Sequence, residues 1–163
     1  ICAEDVFEEL KKKIKIIVNG GKSKVGIEST VIDLCGRPKI LRPGIIGIKE
    51  IKKYLKTNFS NKKSLGLKSP GLLKKHYSPG IPVILNKKPI NNKDAFITFG
   101  KKYKNKKNHF NLSKKGKLKE AAANLYKTLR KIKNQGYKKI FISKIPYQGA
   151  GIAINDRIKR SAK

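Results

Sequence analysis

The side chains with the clearest chemical potential lie in one short stretch, where a carboxylate and two adjacent hydroxyls precede an arginine. Glu28, Ser29 and Thr30 sit in an apolar run, and Arg42 follows a dozen residues later, directly before Pro-Gly. A guanidinium carries a planar fork of donors that suits a phosphate or a carboxylate. Hydroxyls beside it suit a small polar ligand, because they both donate and accept hydrogen bonds. The pattern predicts a binding site for such a ligand; the alternative is a surface hairpin with ordinary polar residues.

The elements that must position these side chains are strands and turns. β-branched and aliphatic residues predict strands around residues 27–34 and 39–41, and glycines and prolines punctuate them. Upstream, residues 3–13 have helical apolar spacing with acids clustered early, which predicts a helix, and residues 14–18 form a short apolar run. Residues 48–55 predict another short helix. This first block is too short for a sizeable core, so we expect it to pack against further chain or to be marginally ordered.

The last part of the chain has a different pattern, in which strands alternate with helices. The strands are predicted at residues 83–85, 95–100 and 139–143, and the helices at 118–133 and 152–162. The first of these helices carries apolar residues on one face: Leu118, Ala121, Ala122, Leu125, Leu129 and Ile132. Strands alternating with helices predict a small α/β domain with a largely parallel sheet. No G-x-G-x-x-G motif follows a strand, so we predict no dinucleotide cofactor.

Between these blocks, from about residue 56 to 82, the composition turns to Asn, Ser, Lys, Gly and Pro without apolar periodicity. This pattern predicts a long linker. Loops of this length are usually either functional or disordered, so a simple tether is the alternative to a functional loop. Residues 69–79 (SPGLLKKHYSP) are the most distinctive part of the linker, since prolines at both ends break helices and sheet ladders.

Four motifs occur in a fixed order along the chain: residues 26–34 (GIESTVIDL), 41–44 (LRPG), 76–79 (HYSP) and 149–157 (GAGIAINDR). Together they resemble the threonylcarbamoyl-AMP synthase (L-threonylcarbamoyladenylate synthase) family in its longer, two-domain form. The resemblance covers nearly the whole chain.

The resemblance implies an α/β fold in three parts. Residues 1–55 would be the C-terminal portion of a YrdC-like twisted-sheet catalytic domain. Residues 56–81 would be an interdomain linker that acts as a lid, and residues 82–163 a small Rossmann-like α/β domain. The chain contains no methionine and opens on Ile-Cys-Ala, so we expect a C-terminal fragment of a longer protein, and the resemblance places the first half of the catalytic domain upstream.

The implied activity is that of a nucleotidyltransferase. It would make L-threonylcarbamoyl-AMP from L-threonine, bicarbonate or CO2, and ATP, with release of pyrophosphate, for the threonylcarbamoyladenosine modification of tRNA. Mg²⁺ would arrive with ATP, with no ligands from this chain. The implied partners are the threonylcarbamoyl-transfer machinery and tRNA, without a membrane. We expect this chain alone to bind ATP weakly and to turn over negligibly.

The resemblance also implies roles for particular residues. Ser29 would bind threonine or its carbamate, and Arg42 and Tyr77 would bind ATP. Each has a structural alternative: Ser29 as a strand hydroxyl bonded to backbone, Arg42 in an ion pair with Glu28 or Asp33, and Tyr77 as a loop anchor between domains. No residue is assigned as a catalytic acid, base or nucleophile.

The other motif residues are expected to support the site. Glu28 and Thr30 would shape it, and His76 would form a structural hydrogen bond, because it lacks a positioned partner in sequence. His109 lies in a lysine-rich stretch and is expected to be solvated. Arg157 and its neighbour Asp156 would tie the last helix to adjacent elements.

The formal charge of +31, from 41 basic and 10 acidic residues, supports an alternative of another class, a non-catalytic basic RNA-binding module. The excess is almost all lysine spread through every segment, which AT-rich coding also produces. Net charge describes non-specific attraction rather than a site. This alternative predicts steeply salt-dependent RNA binding and no dependence on ATP.

Composition also bears on the compartment. Cys2 and Cys35 have neither metal-ligand spacing nor a disulfide framework, which indicates free thiols in a reducing compartment. No apolar run approaches the roughly 20 residues needed to cross a bilayer. We expect a cytoplasmic protein.

Overall fold

A computed structural model of the chain describes residues 2–60 and 79–162, so the predictions for His76 and Tyr77 lie outside the described residues. The elements of the first range are helix α1 (Ala3–Leu10), a 3-10 turn (Lys11–Lys13), strands β1 (Val31–Asp33) and β2 (Lys39–Arg42), and helix α2 (Ile48–Ile51). Those of the second are β3 (Val83–Leu85), β4 (Ala95–Thr98), β5 (His109–Asn111), helix α3 (Leu118–Asn134), β6 (Ile140–Ile142) and helix α4 (Ala150–Ser161).

The first range is built around one hairpin. β1 and β2 pair antiparallel, with Val31 opposite Arg42 and Asp33 opposite Lys39, and the register shifts after Val31. β1 is shorter than the strand predicted over residues 27–34. Its N-terminal part is held by the turn that follows β2 instead of by a strand ladder, since the Thr30 hydroxyl donates to the carbonyl of Ile46. α2 is likewise shorter than the helix predicted over residues 48–55.

The apolar run at residues 14–18 forms no helix or strand. Ile16 and Val18 are 82% and 89% exposed. α1, before this run, contains no buried residue, and Phe7 is 64% exposed. Several large apolar side chains in this part of the molecule are therefore exposed on the surface.

The second range folds around a four-stranded sheet in the order β3-β6-β4-β5, with all three pairings parallel. This arrangement confirms the predicted α/β unit with a parallel sheet. β5 is the one strand of this sheet that the sequence did not predict. It is three residues long and lies in a lysine- and asparagine-rich stretch, where apolar alternation gives little signal.

The main core lies between α3, α4 and one face of the sheet. The predicted face of α3 is buried, with Ala121, Ala122, Leu125, Leu129 and Ile132 between 0% and 5% exposed. From the sheet, the same apolar cluster takes Ala95, Ile97, Ile140 and Ile142. Alternate residues of a strand point to opposite faces, and Phe96 accordingly packs edge-on against the rings of Tyr103 and His109.

The first range joins this core at the start of the residue 26–34 motif. Ile27 is 8% exposed and belongs to the apolar cluster. Gly26 has a left-handed φ of +70°, and a Cβ built there would lie 2.6 Å from the Cα of Ala123 in α3. Only glycine permits both this backbone conformation and this close approach. None of the helices in residues 2–60 and 79–162 is long and apolar enough to span a membrane.

Candidate functional site

The hairpin brings the predicted binding residues together. Arg42, at the end of β2, reaches back to the segment that precedes β1. Its Nε donates to the backbone carbonyl of Ser29 at 3.1 Å, and its Nη2 lies 3.4 Å from the Ser29 hydroxyl oxygen. Arg42 is 9% exposed, whereas Ser29 is on the surface. The pair therefore places a buried guanidinium beneath an exposed hydroxyl, an arrangement suited to a small anionic ligand.

The turn that follows Arg42 packs directly onto the Ser29–Thr30 segment. A Cβ built on Gly44 would lie 2.3 Å from the amide nitrogen of Thr30 and 2.6 Å from the carbonyl carbon of Ser29. Any side chain at position 44 would therefore force the two segments apart. The Thr30 hydroxyl adds a second link, donating to Ile46 O at 2.7 Å. The structure thus joins two motifs that are separate in sequence into one backbone unit.

Glu28, beside Ser29, lies in contact with the C-terminal unit. Its Oε2 accepts a hydrogen bond from Arg157 Nε at 2.8 Å, and the Tyr126 hydroxyl lies 3.3 Å from the same oxygen. Arg157 is 1% exposed and also bonds Asp156 at 2.7 Å. The sequence predicted that Arg157 ties the last helix to adjacent elements. The structure shows that its partner outside the last helix is Glu28, which lies in the residue 26–34 motif.

Asp33, the other carboxylate considered as a partner of Arg42, has its own polar contacts. The Cys35 amide donates to Asp33 Oδ1 at 2.9 Å, and Lys39 Nζ lies 3.3 Å from Oδ2. The amide hydrogen bond and the ammonium group hold the pKa of Asp33 below its ordinary value. Each of the two carboxylates considered as partners of Arg42 thus contacts a different cation: Glu28 contacts Arg157, and Asp33 contacts Lys39.

His109 is the residue for which the sequence interpretation was wrong. It lies in β5 and is half-buried, not solvated in a loop. Its Nδ1 is 2.9 Å from the carbonyl oxygen of Lys104, and its ring packs edge-on against Phe96 with the centroids 5.3 Å apart. It lines a cavity of about 230 Å³ beyond the ends of β4 and β5, together with Thr98, Gly100, Lys101, Tyr103, Lys104, Asn105, Asn111 and Lys114.

Within residues 2–60 and 79–162, no group of three or more His, Cys, Asp or Glu side chains is arranged to hold a metal ion. Cys2 and Cys35 are both free, and Cys35 is exposed.

Comparison with known families decides the assignment. Residues 46–163 match the family described as threonylcarbamoyl-AMP synthase, C-terminal domain. The chain belongs to the threonylcarbamoyl-AMP synthase family. Residues 1–44 match a second family profile, described as telomere recombination. The resemblance stated from the sequence motifs is thereby confirmed.

Relatives of known identity extend this match. The threonylcarbamoyl-AMP synthase of Pyrococcus abyssi is 28% identical over 98% of this chain, which covers 53% of that protein. The crystal structure of P. abyssi Sua5 complexed with L-threonine superimposes with a TM-score of 0.80 at 28% identity, over 99% of this chain and 53% of the other. A variant of that Sua5, in which an adjacent histidine and tyrosine are replaced by alanine, gives 0.79 at 26% identity, over 99% and 52%. This chain therefore spans about half the length of these relatives.

Proposed function

We propose that this chain is part of an ATP-dependent enzyme that makes L-threonylcarbamoyl-AMP from L-threonine, bicarbonate or CO2, and ATP. The observation that carries the proposal is the pairing of Arg42 with Ser29, held by the Gly44 turn. This pairing lies in a chain of the synthase family, and it offers the groups that an anionic amino-acid or phosphate ligand requires. The crystallised P. abyssi Sua5 contains L-threonine, which supports threonine as the amino acid.

The proposed chemistry is an adenylation. The threonine amine is first carboxylated to a carbamate, with loss of a proton when CO2 is the carbon source and of water when bicarbonate is. A carbamate oxygen then forms a bond to the α-phosphorus of ATP, while the bond to the β-phosphate bridging oxygen breaks and pyrophosphate leaves. Such a step asks the protein mainly for positioning and charge stabilisation. Mg²⁺ stabilises phosphate charge when it accompanies ATP, and we assign it no ligand from this chain.

The chain's own residues would orient the two substrates. Ser29 would hydrogen-bond the threonine or carbamate end, since its hydroxyl is on the surface of the hairpin. Arg42 would contact the ATP phosphates, for which a lysine offers no bidentate fork. We assign Thr30 and Glu28 to shaping this segment, in keeping with their bonds to Ile46 and to Arg157.

The linker contributes the third proposed ligand contact. Tyr77 would lie over the site and touch the nucleotide, with His76 in support. A solved variant of P. abyssi Sua5 has a histidine and the tyrosine after it replaced by alanine. The same two residue types stand next to each other here, as His76 and Tyr77, which supports testing this pair. A closing linker would exclude water from the mixed anhydride, which hydrolyses readily. The product would then pass to the machinery that transfers the threonylcarbamoyl group to tRNA.

We further propose that the activity requires more polypeptide than this chain. The chain spans about half the length of its relatives. Large apolar side chains of the first range are also exposed, among them Phe7, Ile16 and Val18. Large exposed apolar patches mark interaction sites, and the other half of the catalytic domain is the surface that would cover them. This chain alone would then bind ATP weakly and turn over negligibly.

The test is pyrophosphate release from ATP, measured with and without threonine and bicarbonate. It is run on this chain and on a version extended through its upstream coding sequence. Threonine-dependent release only by the extended protein is the expected result. Release by neither protein, with salt-sensitive RNA binding by both, would favour the RNA-binding module.

A variant pair sharpens the assignment of Arg42. Arg42→Ala in the extended protein should lower kcat/KM for ATP by about 100-fold, because a charge-assisted phosphate contact contributes roughly 1.5–3 kcal/mol. The control is Arg37→Ala. Arg37 is an exposed arginine of the same hairpin whose Nε donates to the Asn58 carbonyl, and its loss should change kcat/KM less than twofold. Equal effects of the two variants would remove Arg42 from the ATP site.

A further inference from the structure

Acidic side chains of the first range face arginines of the C-terminal unit at two separate places. At one, Arg130 of α3 bonds Asp5 and Glu8 of α1. At the other, Arg157 of α4 bonds Glu28. The chain has only ten acidic residues against 41 basic ones, so three acids placed opposite arginines make a specific arrangement of charge. Only the second contact involves the binding motif.

At the Arg157–Glu28 contact, the arginine is fixed by acidic partners on two sides. Arg157 is 1% exposed, and it lies 2.8 Å from Glu28 and 2.7 Å from Asp156. Only the guanidinium is buried, since the Glu28 side chain is 31% exposed, so Glu28 is the partner that ties this buried cation to the first range. Asp156 is itself bonded by Arg160, one helical turn further on. The arginine is thus braced from its own helix and presents its Nε to Glu28.

A second helix reaches the same carboxylate. The Tyr126 hydroxyl of α3 lies 3.3 and 3.5 Å from the two oxygens of Glu28. One turn earlier on α3, Ala123 packs against Gly26 so closely that no Cβ fits there. Two helices therefore hold the backbone on the N-terminal side of Ser29, with two polar contacts and one steric contact.

The other side of Ser29 is held by the hairpin, through Arg42 Nε and the Gly44 turn. Ser29 itself is exposed. Its position is therefore set from two directions: from the C-terminal unit through Glu28, and from β2 through its own carbonyl. If the contacts to Glu28 loosened, the Ser29 hydroxyl would shift relative to Arg42.

We propose that Arg157 and Tyr126 are positioning residues, which hold Glu28 so that Ser29 meets the amino-acid substrate in a productive geometry. The C-terminal unit then completes the amino-acid side of the site without touching the substrate. The inference about the substrate rests on the proposed function, whereas the inference about the geometry does not.

The geometric part is tested on this chain by NMR. The Arg42 Nε proton, which is bonded to the Ser29 carbonyl, reports where Ser29 lies. Each of Arg157→Lys and Tyr126→Phe weakens the hold on Glu28, which should let Ser29 move and weaken its hydrogen bond to Arg42. Exchange of the Arg42 Nε proton with water should therefore be about tenfold faster in both variants, the factor that corresponds to one hydrogen bond. Arg130→Ala is the matched control, since it removes the other arginine contact and leaves Glu28 in place. Equal acceleration in all three variants, or in none, would overturn the positioning role.

The two variants differ in their risk of misfolding. Arg157→Lys keeps the charge and loses the fork, at a fully buried site. Tyr126→Phe removes a single hydroxyl from a half-buried ring and preserves the packing of α3, so the test remains decisive if the first variant fails to fold.

The substrate part uses the extended protein. Tyr126→Phe and Arg157→Lys should raise the KM for threonine by roughly tenfold, because small misplacements of a substrate-positioning group carry large penalties. The KM for ATP should stay within twofold, and Arg130→Ala should change neither. Parallel changes in both KM values, or a loss of kcat alone, would contradict the assignment. An unmodified extended protein without threonine-dependent turnover would instead reject the proposed function, and the exchange of the Arg42 proton would still decide the geometry.

Discussion

Residues 79–162 enclose their apolar side chains, whereas residues 2–60 leave many of theirs exposed. Of the buried apolar residues in the described parts of the chain, eighteen lie in the C-terminal range and only two, Ile27 and Phe59, in the first. Nine of the exposed large apolar residues lie in the first range, against two, Ile90 and Tyr147, in the second. Two long helices on a parallel sheet close a core, and a short hairpin with short helices does not.

The packed core and the proposed binding residues therefore lie in different parts of the chain. The proposed binding pair, Ser29 and Arg42, belongs to the range with little core of its own. Beside this pair, that range is attached to the C-terminal unit through Gly26, Ile27 and Glu28, in addition to the contact of α1 with Arg130. A small element with few internal contacts keeps a fixed geometry when a packed unit holds its ends.

The largest expected effect comes from opening the enclosed core. Leu125→Ala should lower the free energy of unfolding by about 2–5 kcal/mol, since it removes a side chain with 0% exposure from between α3 and the sheet. Denaturant unfolding measures the loss. The control is Ile16→Ala, at a site 82% exposed, which should stay within about 0.5 kcal/mol. Similar losses at the two sites would contradict the contrast between the ranges.

A smaller effect should follow from separating the two ranges where they touch. Gly26→Ala should cost about 2–4 kcal/mol, because it adds a steric clash with Ala123 to the strain of a left-handed residue. Thermal unfolding followed by circular dichroism measures it.

Gly36→Ala is the matched control for this substitution. Gly36 has a φ of +83° and nothing within 4 Å of its built Cβ. Only the strain of about 1–2 kcal/mol should appear there. If the two alanine variants were equally stable, Gly26 would not be a contact between the ranges.

The smallest expected effect is the loss of stability at low pH as Asp33 becomes protonated. The pKa of Asp33 lies below its ordinary value, so its contribution to stability is present above the unfolded pKa of about 3.9 and is lost as pH falls through the folded pKa. An NMR titration of the Cys35 amide should therefore show a midpoint below 3.9, and Asp33→Asn should abolish it. A midpoint at or above 3.9 would show that the hydrogen bond from the Cys35 amide does not lower the pKa of Asp33.

The C-terminal unit was largely predictable from periodicity. The apolar face of α3 and the strands at 83–85, 95–98 and 140–142 follow patterns set by neighbouring residues, because burial on one face imposes a regular spacing. The adjacency of Ser29 and Arg42 was also anticipated, since a hairpin returns the chain to its start.

Two features could not be predicted from the sequence, for physical reasons. β5 is held by its parallel pairing with β4 and not by an apolar alternation of its own, so His109 looked like part of a solvated loop. The Arg157–Glu28 pair joins positions 129 residues apart, and nothing local in either segment identifies the partner. With 41 basic residues in the chain, the sequence also gives no sign of which of them contacts Glu28.

The contact between the buried Arg157 and Glu28 has a consequence for the order in which the protein folds during synthesis. A ribosome delivers the N-terminal part first, so residues 26–44 emerge well before the helix that supplies the guanidinium. Contacts between such distant positions also form late in folding, since a long loop must close before they exist. A nascent chain interrupted just before Ala150 would contain every residue of the hairpin and of the segment that precedes it. It would still lack the cation that anchors Glu28, so the hairpin becomes fully anchored only when synthesis of the last helix is finished.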